Sequence, residues 1–579
     1  MADEAVRPDR RLQPGHVPRH PLPLRHPHRG LRFRLRHDHS GAHALAVESQ
    51  PSQRGGAVTP RDPHARRLPA APGRLRLLRP KTVTVIGAGI AGLSAATILA
   101  ERGAEVTILE SGPRLGGRVS AWPVDDDRTM SRGFHAFFRQ YYNLRDLLSR
   151  ADPGLDRLRP IPDYPLTRRG GPTDSFASIP RTPPFNLLGF VLTSPTFPLR
   201  GLAQVDLAAA VELIDVDFPT SFSRYDGESA AAFLDRLRFP DQARHLALEV
   251  FARSFFADPE DFSAGELVAM FHTYFAGSAE GLLFDVPDDD YDTALWAPLG
   301  RYLQDLGVRI ETRTAAETIA RSPHGWSVGT SAGVVESDAL VLAADPAGTR
   351  RLIATAESQT DGAVTGPHGI GARENGMPGW FARVGGQRNA PPFAVLRLWF
   401  AEAVSPDRPA FLGTSGFDLL DNISVLERFE FGAGRWAEDH AGSVVELHAY
   451  ALADLPPDDE LVERLLADLY EVYPETRQSA ILHRELLVES DCGLTDTRPW
   501  SDRPGVSTPL PGLVLAGDHI RCELPVALME RAATTGYLAA NELLGTWRVE
   551  GTPIWSPPPQ GLLRRGVLGR LRGMKGSGR

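Results

Sequence analysis

Val83-Thr84-Val85-Ile86-Gly87-Ala88-Gly89-Ile90-Ala91-Gly92 decides the fold. The four β-branched residues read as a strand, the glycines break it, and a helix-forming stretch runs on to Glu101. A second strand, Val106-Thr107-Ile108-Leu109, ends on Glu110. G-x-G-x-x-G between strand and helix, with an acid about 20 residues on, is the arrangement that binds a dinucleotide. Gly87 permits the tight turn, Gly89 lets backbone approach a pyrophosphate, and Gly92 lets the helix pack on the strand. Ala88, Ile90 and Ala91 open the helix, whose free N–H groups and positive dipole end suit phosphate. Glu110, with Ser111 beside it, would accept from ribose hydroxyls and repel the extra phosphate of NADP.

The chain around this motif is long, at 579 residues, so more than one subdomain is expected. Its 42% hydrophobic and 23% charged content is that of a soluble globular enzyme. No apolar run reaches membrane-spanning length, and the start lacks the apolar core of a secretory signal. Two cysteines, Cys492 and Cys522, are too few for a disulfide framework or a metal site and fit a reducing cytoplasm. The net charge of −9 is unevenly spread: residues 1–80 carry 16 Arg against 6 acidic residues, with eight of the 17 His. Such a stretch is expected to be disordered, or to lie outside the working protein. A His-rich metal site or a nucleic-acid arm is the weaker reading of it.

Strand-like pieces recur far downstream. Val308-Arg309-Ile310 precedes a hairpin-like stretch through Trp326-Ser327-Val328, an apolar strand covers 338–344, and Leu513-Val514-Leu515-Ala516 enters Gly517-Asp518 and a helix over 528–544. Between them, 230–237, 244–256 and 264–275 read as helices, and 393–400, 423–431 and 443–450 as strands. The expected fold is α/β. A Rossmann-type domain is built from 81–165, 301–352 and 491–546, with an inserted α+β substrate or cap domain from 166–300 and 353–490. A disordered extension (1–80) and a basic tail (547–579) flank it.

Just past Glu110 comes Arg114-Leu115-Gly116-Gly117-Arg118. Paired glycines admit close backbone approach, and the arginines can meet phosphate or a flavin edge, which turns the expected cofactor from NAD to FAD. This stretch resembles the second glycine signature of the flavin amine oxidase and carotenoid desaturase superfamily. The segment Gly517-Asp518, then Leu528-Met529-Glu530-Arg531-Ala532, resembles that superfamily's closing motif. The resemblance implies that Asp518 binds the ribitol and that Pro525 and Val526 lie near the isoalloxazine. Ala316 stands where the superfamily often places Val against adenine.

Arg132-Gly133-Phe134-His135-Ala136-Phe137-Phe138-Arg139-Gln140-Tyr141-Tyr142 interleaves basic residues with aromatics. Aromatic faces suit a conjugated hydrocarbon and can stabilise a cation passing over them. Together with Asp163-Tyr164-Pro165-Leu166, Ser254-Phe255-Phe256-Ala257 and Glu280-Gly281-Leu282-Leu283-Phe284-Asp285, it closely resembles the bacterial isorenieratene synthases, the β-carotene desaturase/methylases, over roughly residues 81–545. That resemblance implies oxidation of each β-ionone ring to a trimethylphenyl ring with migration of one methyl group. Gly133, Phe134 and His135 would sit against the flavin, and His135 and Arg132 are the candidate catalytic residues, with Glu280 and Asp285 weaker ones. The implied partners are a carotenoid, β-carotene foremost, a peripheral membrane surface and an unidentified electron acceptor, with no nucleic acid and no metal. Other readings are a desaturase or isomerase of acyclic carotenoids and, more remotely, a lipid-binding escort without turnover. Leucines and basic residues mixed over 562–575 could lie on an anionic membrane at its cytoplasmic side; 185–192 and 267–275 are alternative membrane-facing or cavity-lining stretches.

Overall fold

The computed structural model describes residues 60–195, 205–238, 255–360 and 377–565. Five parallel strands form a central sheet in the spatial order Arg309–Glu311, Glu105–Leu109, Thr82–Ile86, Ala339–Leu342, Leu513–Leu515. Strand order reverses beside Thr82–Ile86, and the crevice at the carboxyl ends of strands at such a point is where α/β sheets bind ligands. The helix Ile90–Glu101 is buried from Ile90 to Ala100, between this sheet and the helix Leu528–Thr546. The two helices cross closely because Gly536 is bare: a Cβ there would overlap the Ala91 carbonyl oxygen. This is the expected Rossmann-type arrangement.

A second sheet of seven strands runs Ile481–Glu489, Phe393–Phe400, Ser443–Ala449, Asn422–Val425, Phe411–Ser415, Leu166–Arg168, Thr173–Asp174. One face, carrying Leu396, Ile423, Val445 and Leu447, packs against Leu461, Leu465 and Leu469 of the helix Asp458–Val472. The other face looks toward the Rossmann-type sheet across a cavity. A three-stranded sheet of Phe137–Phe138, Phe284–Pro287 and Leu158–Pro160 closes one side of that cavity.

Several expectations change. Residues 1–59 lie outside the described residues, but 60–80 are docked. Arg66–Leu68 pairs antiparallel with Ile554–Ser556, and the Arg61 and Asp62 amides donate to Glu280 Oε2 at 3.2 and 3.1 Å. Composition misled there because the segment is held mainly by strand pairing and by hydrogen bonds of its backbone and of buried Asp62, which need no run of apolar side chains. The basic tail likewise begins later than 547. Ile554–Ser556 is a strand, and Arg564 on the short helix Leu562–Arg565 pairs with Asp215 and Asp217; 566–579 lie outside the described residues. The helix Ala230–Leu237 is as expected. Over 264–275 the α-helix Ala264–Phe271 passes into a π-helical turn, His272–Ala276. Of 244–256 only Phe255 and Phe256 are described, in a turn where Phe256 has φ 58°. The strand expected over 423–431 stops at Val425, because Glu427 turns back to accept from Ser443 Oγ and the Val444 amide. Among the described residues no helix is long and apolar enough to cross a membrane.

Candidate functional site

Gly87 sits at φ +101°, and a Cβ on it would lie 2.5 Å from the Ala343 carbonyl oxygen. A Cβ on Gly92 would overlap the Gly87 carbonyl oxygen, so both glycines are dictated by close backbone packing. Gly89 caps the helix without any side-chain cap, and a Cβ there would meet nothing nearer than Gly117 Cα at 3.9 Å. The helix N-terminus therefore opens onto a glycine-walled cradle, since the Gly116 amide donates to the Ala88 carbonyl at 2.9 Å and holds the second glycine pair against the first. Glu110 accepts from the Ala88 and Gly112 amides at 2.8 and 2.7 Å, which fixes the carboxylate at the end of its strand. Arg118 meets Asp518 through two hydrogen bonds of 2.9 and 2.5 Å across 400 residues of sequence. Burial works against the Asp518 charge, but Arg118 holds its carboxyl far below the usual carboxylate range. Cys492 lies beside this pair; burial pushes its thiol up to about 12, so it stays protonated.

These groups line one end of a cavity of about 960 Å³. Gly87, Gly89, Ile90, Ala91, Glu110, Ser111, Arg114, Gly116, Gly117, Arg118, Ala316, Gly517 and Asp518 all face it. Open amides at a helix N-terminus, a paired arginine and an acid at the strand end are the donor and acceptor set that a flavin dinucleotide requires, so the residues present fit FAD. Ala88 and Gly92 stand just behind the lining and act through backbone. Pro525 and Val526 do not line the cavity: their carbonyls accept from Thr273 Oγ1 (3.0 Å) and Arg531 Nε (2.9 Å). That end is lined one turn later, by Leu528, Met529, Arg531 and Ala532, because the Arg531 guanidinium is drawn onto buried Glu266 at 2.6 Å.

The rest of the cavity is aromatic. Phe134 stacks on Phe411 with ring centres 4.4 Å apart, Phe138 lies 4.7 Å from Tyr274, and Tyr164 stacks on Phe176 (4.7 Å) and meets Phe284 at a tilt (4.9 Å). Phe256 touches Phe393 and Tyr450 at 5.0 and 5.1 Å. His135 is half-buried in this wall, and burial pushes its imidazole down to about 4, leaving it neutral at pH 7. Its Nδ1 lies 2.7 Å from the Gly133 carbonyl, which can only accept, so Nδ1 carries the proton and Nε2 the lone pair. Tyr291 locks the loop by donating to the same carbonyl at 2.8 Å and accepting from the His135 amide at 3.0 Å. Arg132 is bound to Asp491 (2.7 Å) and Glu489 (3.3 Å) at the rim. Glu280 and Asp285 are spent elsewhere: Glu280 accepts from Tyr142 Oη at 3.0 Å, and Asp285 pairs with Arg139 and Arg145.

A group the linear motifs did not reveal lies on the seven-stranded sheet. Register places Leu166, Gly413, Asn422, His448, Val395 and Leu487 in one cross-strand row on the cavity side, with Glu446 opposite Arg397 one step along. Arg397 and Glu446 are 2% and 1% exposed and joined at 2.6 Å; Glu446 Oε1 is 2.8 Å from His448 Nε2, and His448 Nδ1 is 2.5 Å from Tyr450 Oη. Burial would raise the Glu446 carboxyl, but Arg397 and then His448 hold it at about 2. Ionisable residues inside the apolar runs Leu396-Arg397-Leu398 and Val445-Glu446-Leu447-His448 were the signal.

A family model described as flavin-containing amine oxidoreductase matches residues 90–544. A carotenoid phi-ring synthase of Streptomyces griseus is 50% identical over 517 residues, covering 88% of this chain and 96% of its own. A carotenoid phi-ring synthase of Chlorobaculum tepidum is 27% identical over 605 aligned positions, 84% of this chain and 92% of its own. Among solved structures, the cyclohexylamine oxidase of Brevibacterium oxydans shares the fold at a TM-score of 0.57 and 13% identity, over 80% of this chain and 99% of its own. The chain belongs to the flavin-containing amine oxidoreductase family and is an FAD-dependent, carotenoid-modifying oxidoreductase.

Proposed function

We propose that this chain converts β-ionone end groups of a carotenoid, β-carotene foremost, into aromatic trimethylphenyl rings with migration of one methyl group. The observation that carries this reading is continuity: the glycine cradle and the aromatic chamber are two ends of one cavity. The half-identical phi-ring synthase supports the choice of product.

In this reading Gly87, Ala88, Gly89, Ile90, Ala91, Gly92, Glu110, Ser111, Arg114, Gly116, Gly117, Arg118, Ala316, Gly517 and Asp518 hold FAD, with Phe134 and His135 bordering it. FAD, when bound, supplies a hydride acceptor. The protein's own side chains do the rest. Stacked Phe and Tyr rings grip the flat polyene end and exclude water, which would otherwise trap a carbocation. Their π-faces stabilise positive charge in the ring while the methyl group moves. His135, neutral with its Nε2 lone pair free of the Gly133 bond, accepts a ring proton. Arg132, tied to Glu489 and Asp491, positions the loop rather than reacting.

Substrate enters from a bilayer in this reading. The helix Phe185–Thr193 contains no charged residue and turns Phe185, Leu188 and Leu192 outward at 62%, 56% and 64% exposure. Its inner residue Phe190 stacks on Phe176, which lines the cavity. A greasy outer face over a cavity wall supports lipid contact at that face. Leu188→Glu is expected to lower flotation with anionic vesicles at least several-fold, and unchanged flotation removes the helix from the contact.

Co-expression with β-carotene or with lycopene tests the activity. Pigment from β-carotene that has lost four hydrogens per ring at constant carbon count is the expected result. Untouched β-carotene beside desaturated lycopene would replace this reading with an acyclic desaturase.

A further inference from the structure

Two arginines share one carboxylate at the end of the cavity lined by Leu528, Met529, Arg531 and Ala532. Glu266, 3% exposed on the helix Ala264–Phe271, accepts from Arg531 Nη2 and from Arg503 Nη1, each at 2.6 Å. The two arginine side chains are themselves 8% and 10% exposed. Their other bonds go to backbone carbonyls, Arg531 Nε to Val526 at 2.9 Å and Arg503 Nη2 to Asp496 at 2.9 Å. Among the described residues no second carboxylate bonds either guanidinium. Asp518 is spent on Arg118, and the Asp496 carboxylate on Arg498 at 2.8 Å. Glu530 is taken by the Asn143 and Leu144 amides, and burial pushes its carboxyl up to about 8, so at pH 7 it is mainly protonated. An arginine does not give up its proton in a protein. The triad therefore holds one positive charge in excess.

We infer that this excess charge serves the flavin ring: Arg503, acting through Glu266 and Arg531, raises the reduction potential of bound FAD. The inference rests on FAD lying with its ring at this end of the cavity, and not on the choice of carotenoid. A hydride carries two electrons and one proton. Its transfer from a ring C–H bond leaves a cation on the donor and one negative charge on a flavin ring that was neutral, until the electron acceptor takes the pair away. Positive charge fixed beside the ring favours the reduced side of that balance. Burial leaves the charge weakly screened. The free amides of the first turn of the helix Leu528–Thr546, on which Arg531 sits, act in the same sense.

A purely structural role needs only one of the arginines. Arg531 and Glu266 already join the helices Ala264–Phe271 and Leu528–Thr546 as a neutral pair. The second guanidinium adds charge where burial penalises it. Burial and the like charge of Arg531 pull Arg503 below the ordinary arginine range, against the attraction of Glu266. That cost is offset when a negative charge develops alongside.

Arg503→Met removes the excess charge, keeps the Arg531–Glu266 pair and alters no residue that lines the cavity. The midpoint potential of the purified, FAD-loaded protein is read by reductive titration against a reference dye, without carotenoid, with FAD content and melting temperature as fold checks. Expected is at least a tenfold shift of the equilibrium toward oxidised flavin, a fall of about 30 mV for a two-electron couple. Arg503→Lys, which restores the charge, is expected to return most of that fall. If Arg503→Met does not retain FAD, Arg503→Gln, which drops the charge and keeps a donor for Glu266, is read in its place. An unchanged midpoint potential overturns the inference. So does an equal fall in Arg503→Lys, which would trace the effect to packing, and so does loss of FAD from both uncharged variants, which would make the triad a binding element. The expected fall in a protein that leaves β-carotene untouched overturns the aromatisation alone.

Discussion

The two sheets solve their tasks by different means. At the five-stranded sheet the ligand-facing surface is mostly backbone: glycines, free amides and the acid Glu110 at a strand end lie within about 30 residues, the span of a βαβ unit, and Ala316, Gly517 and Asp518 join them from afar. At the seven-stranded sheet it is side chains, assembled by register from strands as far apart as Leu166 and Leu487. Backbone recognition tolerates almost no substitution at the glycines and is blind to what else the cavity holds. Side-chain recognition tolerates change in single aromatics but depends on buried charges staying paired. Cofactor binding and substrate chemistry should therefore fail separately.

The sharpest way to break that comparison is Gly92→Val, whose side chain would drive into the Gly87 carbonyl oxygen. The purified variant is expected to carry essentially no flavin absorbance, and a normal FAD content would mean the cradle does not bind through its backbone. On the other sheet, Glu446→Leu strands the Arg397 guanidinium and is expected to cost about 3–5 kcal/mol in denaturant unfolding. Arg397→Met added to it should recover much of that loss. FAD should persist in whichever protein folds, and its disappearance in step with stability would mean the sheets are not separable.

Asp518→Asn is a smaller perturbation, leaving one hydrogen bond from Arg118 without the carboxylate's charge. A charge-assisted bond is worth about 1.5–3 kcal/mol, so FAD affinity by fluorescence titration should fall at least tenfold. Unchanged affinity would mean that the pair serves only to hold Arg118. The smallest effect concerns Glu530, buried where it accepts from the Asn143 and Leu144 amides at 2.9 and 3.0 Å. Burial pushes this carboxyl from its ordinary 4.5 up to about 8, against those donors. A folded-state value above the unfolded one means that its stabilising contribution is full below about pH 4.5 and lost as pH rises through 8. Melting temperature should decline by a few degrees more between pH 6 and 9 in wild type than in Glu530→Gln.

The same contrast explains what the sequence disclosed. Gly87, Gly89, Gly92 and Glu110 were legible because a turn, a close approach and a strand end lie at fixed local spacings. Gly116, Gly117 and Asp518 were legible through resemblance. The docking of residues 60–80 was not, since Arg66–Leu68 has no apolar pattern and is held by pairing with a strand almost 500 residues away. Pro525 and Val526 were misplaced by one turn because nothing local shows that Glu266 draws Arg531 inward. Arg397, Glu446 and His448 were visible as anomalies in apolar strands, but only register makes them one group.

The central claim, ring aromatisation with methyl migration in the aromatic chamber, is tested most directly by carbon labelling. β-Carotene carrying ¹³C in its geminal ring methyls is incubated with the FAD-loaded protein and the product read by NMR. The account predicts that one label stays on its original ring carbon and the other appears on the adjacent carbon of an aromatic ring. Both labels still on one ring carbon, or either label lost from the product, would contradict it.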